Sequence, residues 1–331
     1  MVPQMQMLGN GRMASWITAS GAGGVMLANT SLTRWRPDAT SDGNGYWIYI
    51  RDTQTGDLWS AGRLPTGVRS PDSTVIFHQH MIEFFQRTNG IAVRMEVSVS
   101  PADDADIREI SVTNESGRPR VLAFTSYAEV VLAPPLDDER HPAFSKLFVA
   151  SEYLGPQRGL LFTRRPRRPE MKPPVLLHTL VSDGPDIAIT GHETDRARFI
   201  GRLGNQRRPA GLEAGLSGTV GSTLDPVMSL QTEVTLKPGE TRRFAFVTIA
   251  GTARGEVLDI AQRHAIGTLE QVRRDAGRAM AREVDRLGIA PSRLPELQVL
   301  ASLLQTPHPN FRETPAEIDG NDACQPDLWQ F

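Results

Sequence analysis

Two short segments bring together side chains with the right chemistry to hold a hydroxyl-rich or phosphate-bearing ligand. The first is His141-Pro142-Ala143-Phe144-Ser145-Lys146-Leu147-Phe148, where His141 and Lys146 can hydrogen-bond hydroxyls or phosphate. Phe144 and Phe148 would either anchor the segment or pack on an apolar ligand face, and phenylalanines four apart are also a common core pattern. Pro134-Pro135 and Pro142 stiffen the segment, and loops held by a rigid scaffold are where recognition residues concentrate. The second is Arg34-Trp35-Arg36-Pro37-Asp38, with an indole able to stack and two guanidiniums able to make bidentate contacts to an anion. An equally good reading packs Trp35 at the rim of the fold and pairs Arg34 or Arg36 with Asp38.

Other candidate groups read as structural. Asp103-Asp104-Ala105-Asp106 reads as solvated turn residues, and Asp137-Asp138-Glu139 as a charged loop that also has the option of shaping a binding loop. His78-Gln79-His80 would place two imidazoles on one face if it lay in a strand, but no third ligand follows at metal-site spacing, so it reads as an exposed pair. Gly21-Ala22-Gly23-Gly24 precedes a strand-like run instead of a helix and reads as a turn, not a phosphate loop. Arg164-Arg165-Pro166-Arg167-Arg168-Pro169 lacks interleaved aromatics in a chain of net charge −2, so it reads as a solvated loop and not as a nucleic-acid contact. The single cysteine, Cys324, excludes an internal disulfide framework and reads as an incidental thiol. No metal site is expected.

The elements that must position these groups are mostly strands. Tyr46 to Arg51, Ile91 to Ser100, Ile107 to Thr113, Val121 to Val131, Met228 to Leu236 and Arg243 to Ile249 alternate or are rich in β-branched residues. In the second of these, Ile91, Val93, Met95, Val97 and Val99 fall on one face, predicted to be buried, with the other face wet. Asn89-Gly90 fits a tight hairpin, and Lys237-Pro238-Gly239-Glu240 joins the last two strands. Many short strands with regular turns predict a mainly β protein, a large antiparallel β-sandwich over residues 1–252. From Glu256 to Leu287 the period becomes helical, ending at Gly288 and Pro291, and a second short helix is predicted over Leu294 to Leu304. Residues 253–305 therefore form a helical linker, and 306–331 a proline-rich and acidic tail without period. No apolar run reaches membrane-span length, and the start lacks a basic segment followed by an apolar one, so no membrane span and a cytoplasmic location are expected.

Several stretches together resemble the N-terminal domain of glycoside hydrolase family 94, especially its β-1,2-oligoglucan phosphorylase and cyclic β-1,2-glucan synthase branch. They are Gly9 to Arg12, Thr33 to Thr40, Tyr46 to Asp52 with Trp59 to Gly62, Ser126 to Leu132, His141 to Phe148, Glu193 to Phe199, and Leu216 to Gly221 with Leu224-Asp225-Pro226. The resemblance implies a β super-sandwich, a helical linker and an (α/α)6 barrel that carries the catalytic aspartate. Gln325 to Phe331 resembles the segment leading into that barrel.

On this resemblance the chain is expected to be a non-catalytic domain that binds β-glucan or oligosaccharide and assembles with a barrel missing from it or separately encoded. Inverting phosphorolysis needs one protein acid, because inorganic phosphate is the nucleophile and co-substrate. No catalytic residue is therefore assigned here and no cofactor is expected. The substrate-binding candidates are Arg34, Trp35, Arg36, Asp38, His141, Phe144 and Lys146. The resemblance also implies a homodimer in which this domain reaches the partner's active-site mouth. Two alternatives remain: a split subunit of an active inverting phosphorylase, and a free-standing glucan-binding or dimerisation module.

Overall fold

The structure is a computed structural model that describes residues 5–36, 43–168 and 170–305. In chain order its elements begin with β1 (Met5–Gly9), β2 (Met13–Thr18), β3 (Gly23–Leu27), β4 (Thr30–Thr33), β5 (Trp47–Asp52), β6 (Leu58–Ser60), β7 (Ser73–Phe77), β8 (Met81–Thr88), β9 (Ile91–Val99), β10 (Ala105–Asn114) and β11 (Arg120–Ala133). Two short helices follow, α1 (Pro135–Arg140) and α2 (Pro142–Lys146), then β12 (Val149–Leu154), β13 (Gly159–Arg164), β14 (Val175–Ser182) and β15 (Ile189–Asp195). After α3 (Arg196–Ile200) and α4 (Gly211–Ala214) come β16 (Pro226–Leu236) and β17 (Thr241–Gly251), and the described chain ends in α5 (Arg254–Arg263), α6 (Ile266–Arg286) and α7 (Leu294–Gln305).

The strands form two antiparallel sheets. One has the order β1-β2-β3-β4-β11-β16-β15, with β5 also on β11 and β6 on β5; the other has the order β12-β13-β14-β17-β10-β9-β8-β7. Their inner faces meet in one apolar core, where Phe124 of β11 lies edge-on to Phe244 of β17 at 4.9 Å between ring centroids. Each such ring contributes roughly 1.5–3 kcal/mol by leaving water. The long strand β11 organises the first sheet: its first half pairs with β5, and a bulge at Leu132 (φ 52°) lets its last residues pair with β4. The Lys237–Glu240 turn is a corner carrying the chain from one sheet to the other.

The alternation read in β9 holds on its inner face, where Ile91, Val93, Met95, Val97 and Val99 are all buried. Its other face is not uniformly wet. Ser98 is buried, and Glu96 pairs with Arg273 of α6 at 2.9 Å, because α6 lies across the outside of this sheet. The predicted helix from Glu256 to Leu287 is two helices. His264 breaks it with φ −98°, ψ 56°, and its Nδ1 lies 3.0 Å from the Ile260 carbonyl. Both pieces still turn Val257, Ile260 and Leu269 toward the sheet, so the apolar period runs through the break.

Two acidic and histidine readings change. Asp104 and Asp106 are buried: Asp106 accepts from Ser15 and from Arg108 Nε, and Asp104 pairs with Arg12. His78-Gln79-His80 forms the half-buried turn between β7 and β8, with the imidazoles 6.3 Å apart, and among the described residues no metal-type cluster is present.

Candidate functional site

At one end of the first sheet, residues far apart in sequence join in one ionic chain. Arg34 follows β4 directly, and its backbone N–H donates to the Glu129 carbonyl of β11 at 2.9 Å. This pairing turns the Arg34 side chain onto Glu129, with which its Nη1 forms an ion pair, and its Nε and Nη2 donate to the two Asp138 oxygens at 2.9 and 2.7 Å. Arg36 reaches the Asp138 carbonyl at 3.1 Å. On the other side of Glu129, Arg196 Nε donates at 2.9 Å and lies 3.9 Å from Asp225, which in turn holds Lys146 Nζ at 2.6 Å.

Burial works against the charge on Arg34, yet Asp138 and Glu129 together hold its guanidinium above the ordinary value. The same opposition acts on Arg196, where burial disfavours the cation while Tyr127 and Glu129 raise it. Burial, reinforced by Glu129, pushes the Tyr127 hydroxyl well up, so the ring stays a neutral donor toward that carboxylate.

This chain of ion pairs clamps α1 and α2, which project from the end of β11 as a tongue. Prolines at the first turn of both helices fix φ there and remove an N–H that would otherwise lack a helical partner. His141 separates the two helices. Beyond the clamp the tongue presents Phe144, 46% exposed and edge-on to Phe148 at 5.1 Å. Arg167 lies over both rings, 4.9 and 5.7 Å from their centroids. Asp137, Arg140, His141, Phe144, Ser145 and Arg167 line a pocket of about 200 Å³. A cationic edge beside an aromatic face can hold a polar ligand with an apolar side.

The basic run is therefore not a wholly solvated loop. Arg164 is buried and donates to the Val131 and Ser145 carbonyls at 3.2 and 2.8 Å; its burial, with Arg167 nearby, lowers its pKa.

The sequence candidates separate into two groups. Arg34 and Lys146 face their carboxylates and are mostly buried, Lys146 at 15% exposure, and so serve as clamps. Arg36, His141 and Phe144 are exposed. Trp35 is half-buried and stacks on Trp16, 6.4 Å between centroids and 15° between planes, which leaves it one covered face. Asp38 lies outside the described residues, as do Cys324 and the tail 306–331. Glu129, Asp138, Arg196, Asp225 and Arg167 were not among the candidates, although all five sit inside segments already singled out by motif or charge.

A family model described as "Glycosyl hydrolase 94, supersandwich domain" matches residues 1–266. Over 329 residues the chain is 31% identical to the cyclic beta-(1,2)-glucan synthase NdvB of Rhizobium meliloti (strain 1021), covering 98% of this chain and 12% of that protein. It is 26% identical over 260 residues to the N,N'-diacetylchitobiose phosphorylase of Vibrio proteolyticus, covering 73% of this chain and 30% of that one. To the solabiose phosphorylase of Paenibacillus borealis it is 26% identical over 263 residues, covering 76% of this chain and 32% of that one. The chain thus spans at most about a third of the length of these relatives.

Proposed function

The chain belongs to glycosyl hydrolase family 94 through its supersandwich domain, and from that premise we propose that it is a non-catalytic carbohydrate-handling domain whose α1–α2 tongue completes a glucan site on a catalytic polypeptide. The observation that carries the reading is the convergence at the tongue. Five segments of the family resemblance, through Arg34, Glu129, Lys146, Arg196 and Asp225, meet in one ionic chain whose effect is to fix the tongue. A fold needs no such convergence for stability, since buried ion pairs are often matched by apolar replacements.

The chemistry follows from the family's inverting phosphorolysis. Phosphate attacks the sugar from the face opposite the leaving oxygen, so a single protein acid is required, and we assign that acid to the catalytic polypeptide. The tongue's part is to bind and orient: Phe144 against a pyranose face, with His141 and Arg167 toward hydroxyls. β-1,2-Glucan is the substrate class that the similarity to a cyclic beta-(1,2)-glucan synthase favours.

Assembly with another polypeptide has its own support. Helix α7 docks on the edge strand β1 through Ser302, whose Oγ accepts from the Met5 N–H at 3.1 Å, while Leu297, Leu300 and Leu304 face outward, Leu304 85% exposed. A helix that buries serine and exposes leucine is built for a further apolar partner.

Calorimetry of the chain with β-1,2-glucan, repeated on Phe144→Ala, tests the binding role; loss of heat in the variant is expected. Phosphate release from glucose 1-phosphate with sophorose-type acceptors is expected only when a catalytic polypeptide is added. Turnover by the chain alone would overturn the proposal.

A further inference from the structure

A second polar pocket lies at the opposite, open edge of the sandwich, between the segment that follows β6 and the edge strands β7 and β8. It encloses about 330 Å³, at the small end of ligand-binding cavities. Arg63 and Arg69 line it, and among the described residues neither guanidinium has a hydrogen-bond or ion-pair partner. Phe84 and Phe85 also line it, with the hydroxyl-bearing Ser73 and Thr74 beside them, and no Asp or Glu is among its lining residues.

The neighbouring cations give an internal comparison. Arg87 and Arg94 lie over the Phe85 ring at 5.0 and 6.0 Å, and each has its own carboxylate, Glu115 at 3.0 Å and Glu83 at 3.6 Å. The arginines that line the pocket are the ones left without a counter-charge. The wall carrying them is well tied down. Leu64 N–H donates to the Ser20 carbonyl at 2.9 Å, Ser60 Oγ bridges to Gly62 O and Thr66 Oγ1 at 2.9 Å each, and Gln86 donates to the Ser60 carbonyl.

We propose that this pocket binds a hexose monophosphate. Two guanidiniums without a carboxylate match a phosphate dianion, which accepts charge-assisted hydrogen bonds from both. Phe84 and Val75, which lie opposite each other on one face of the β7–β8 hairpin, provide an apolar floor for the C–H face of a pyranose, with Ser73 and Gln86 on that same face toward its polar rim. A polyanionic chain is a poorer fit, since it would call for a continuous track of free cations, and the next arginines along the hairpin, Arg87 and Arg94, lie on its other face, each with its own carboxylate. The proposal is independent of the tongue and stands or falls without it.

The test is calorimetry of the whole chain in low-salt buffer with glucose 1-phosphate, glucose and inorganic phosphate, on wild type, Arg63→Gln, Arg69→Gln and, as a control on the exposed face of α6, Arg274→Gln. Glucose 1-phosphate should bind saturably and more tightly than either of its halves. Arg63→Gln and Arg69→Gln should each weaken it about tenfold, the size expected for a lost charge-assisted hydrogen bond, with melting temperature unchanged, while Arg274→Gln leaves it intact. No saturable binding, or binding that survives both pocket replacements, overturns the proposal. Inorganic phosphate binding as tightly as glucose 1-phosphate overturns the sugar half of it.

Discussion

The tongue end and the open edge of the sandwich are both rich in arginine, yet they use it in opposite ways. At the tongue, Arg34, Arg36, Arg196 and Lys146 are matched by Glu129, Asp138 and Asp225, and Arg34, held by two carboxylates, is the most buried of these cations. At the open edge, Arg63 and Arg69 face a cavity with no counter-charge. A matched arginine holds structure in place; an unmatched one at a cavity is available to a ligand. The comparison also assigns different consequences to mutation at the two ends, stability at one and binding at the other.

The hardest blow to this contrast would come at Glu129. Its carboxylate is shared between Arg34 and Arg196, so Glu129→Ala leaves a buried guanidinium with one partner lost and should destabilise the chain by about 3–5 kcal/mol in denaturant unfolding. Glu129→Gln, which keeps hydrogen bonding and shape, should recover part of the loss. A melting curve unchanged by Glu129→Ala would mean that the clamp is decoration.

The interior supplies a third case that sharpens the contrast, a polar group satisfied while uncharged. His178 of β14 lies between the sheets, its Nε2 2.8 Å from Ser126 Oγ and its Nδ1 3.1 Å from Thr248 Oγ1. Burial, helped by Arg108, pushes its pKa down to about 3. The unfolded chain therefore binds this proton at a higher pH than the folded one. Stability is fully present above the ordinary histidine value near 6.5 and is lost as pH falls toward 3, by about 3 kcal/mol at pH 4 if His178 acts alone. The acid slope of unfolding free energy should flatten in His178→Gln; an unaltered slope would assign acid sensitivity to other groups.

Much of the scaffold was legible from residue pattern. The alternation of β9, the Asn89-Gly90 hairpin, and the helical period after Ala250 each depend on neighbours within a few residues, and each appears in the structure. The failures share one physical cause. Asp104 and Asp138 looked like solvated acids because the cations that neutralise them, Arg12 and Arg34, belong to other segments; Arg34 is 104 residues from Asp138 and 95 from Glu129. Opposite charges carry no periodic signal, so local pattern cannot say which acids are buried. The motifs that contain them were visible, but their meeting at the tongue was not. The break at His264 escaped for a related reason, since the apolar register of α5 resumes in α6 as if the helix were continuous.

At the rim of the clamp the expected effects shrink. Lys146 and Asp225 are only partly shielded, so Lys146→Ala should cost about 1 kcal/mol or less of stability. Its larger expected effect is on the tongue's order: in an assembly with a catalytic polypeptide, KM for acceptor glucan should rise with kcat little changed. Equal kinetics for wild type and variant would detach the tongue from the sugar site, even with the fold intact.

The smallest stability effect belongs to the open edge, and it is the most discriminating. Arg63 and Arg69 are exposed and make no ion pair among the described residues, so replacing both with alanine should move unfolding free energy by no more than about 0.5 kcal/mol. Removing two like charges that face one cavity would even relieve a little repulsion. Measured by urea unfolding beside Glu129→Ala, this double replacement separates the two uses of arginine on one scale. A loss of several kcal/mol on Arg63→Ala and Arg69→Ala would show that these side chains hold the loop after β6 in place, and the division between structural and ligand-facing arginine would then fail at the end where it was drawn most sharply.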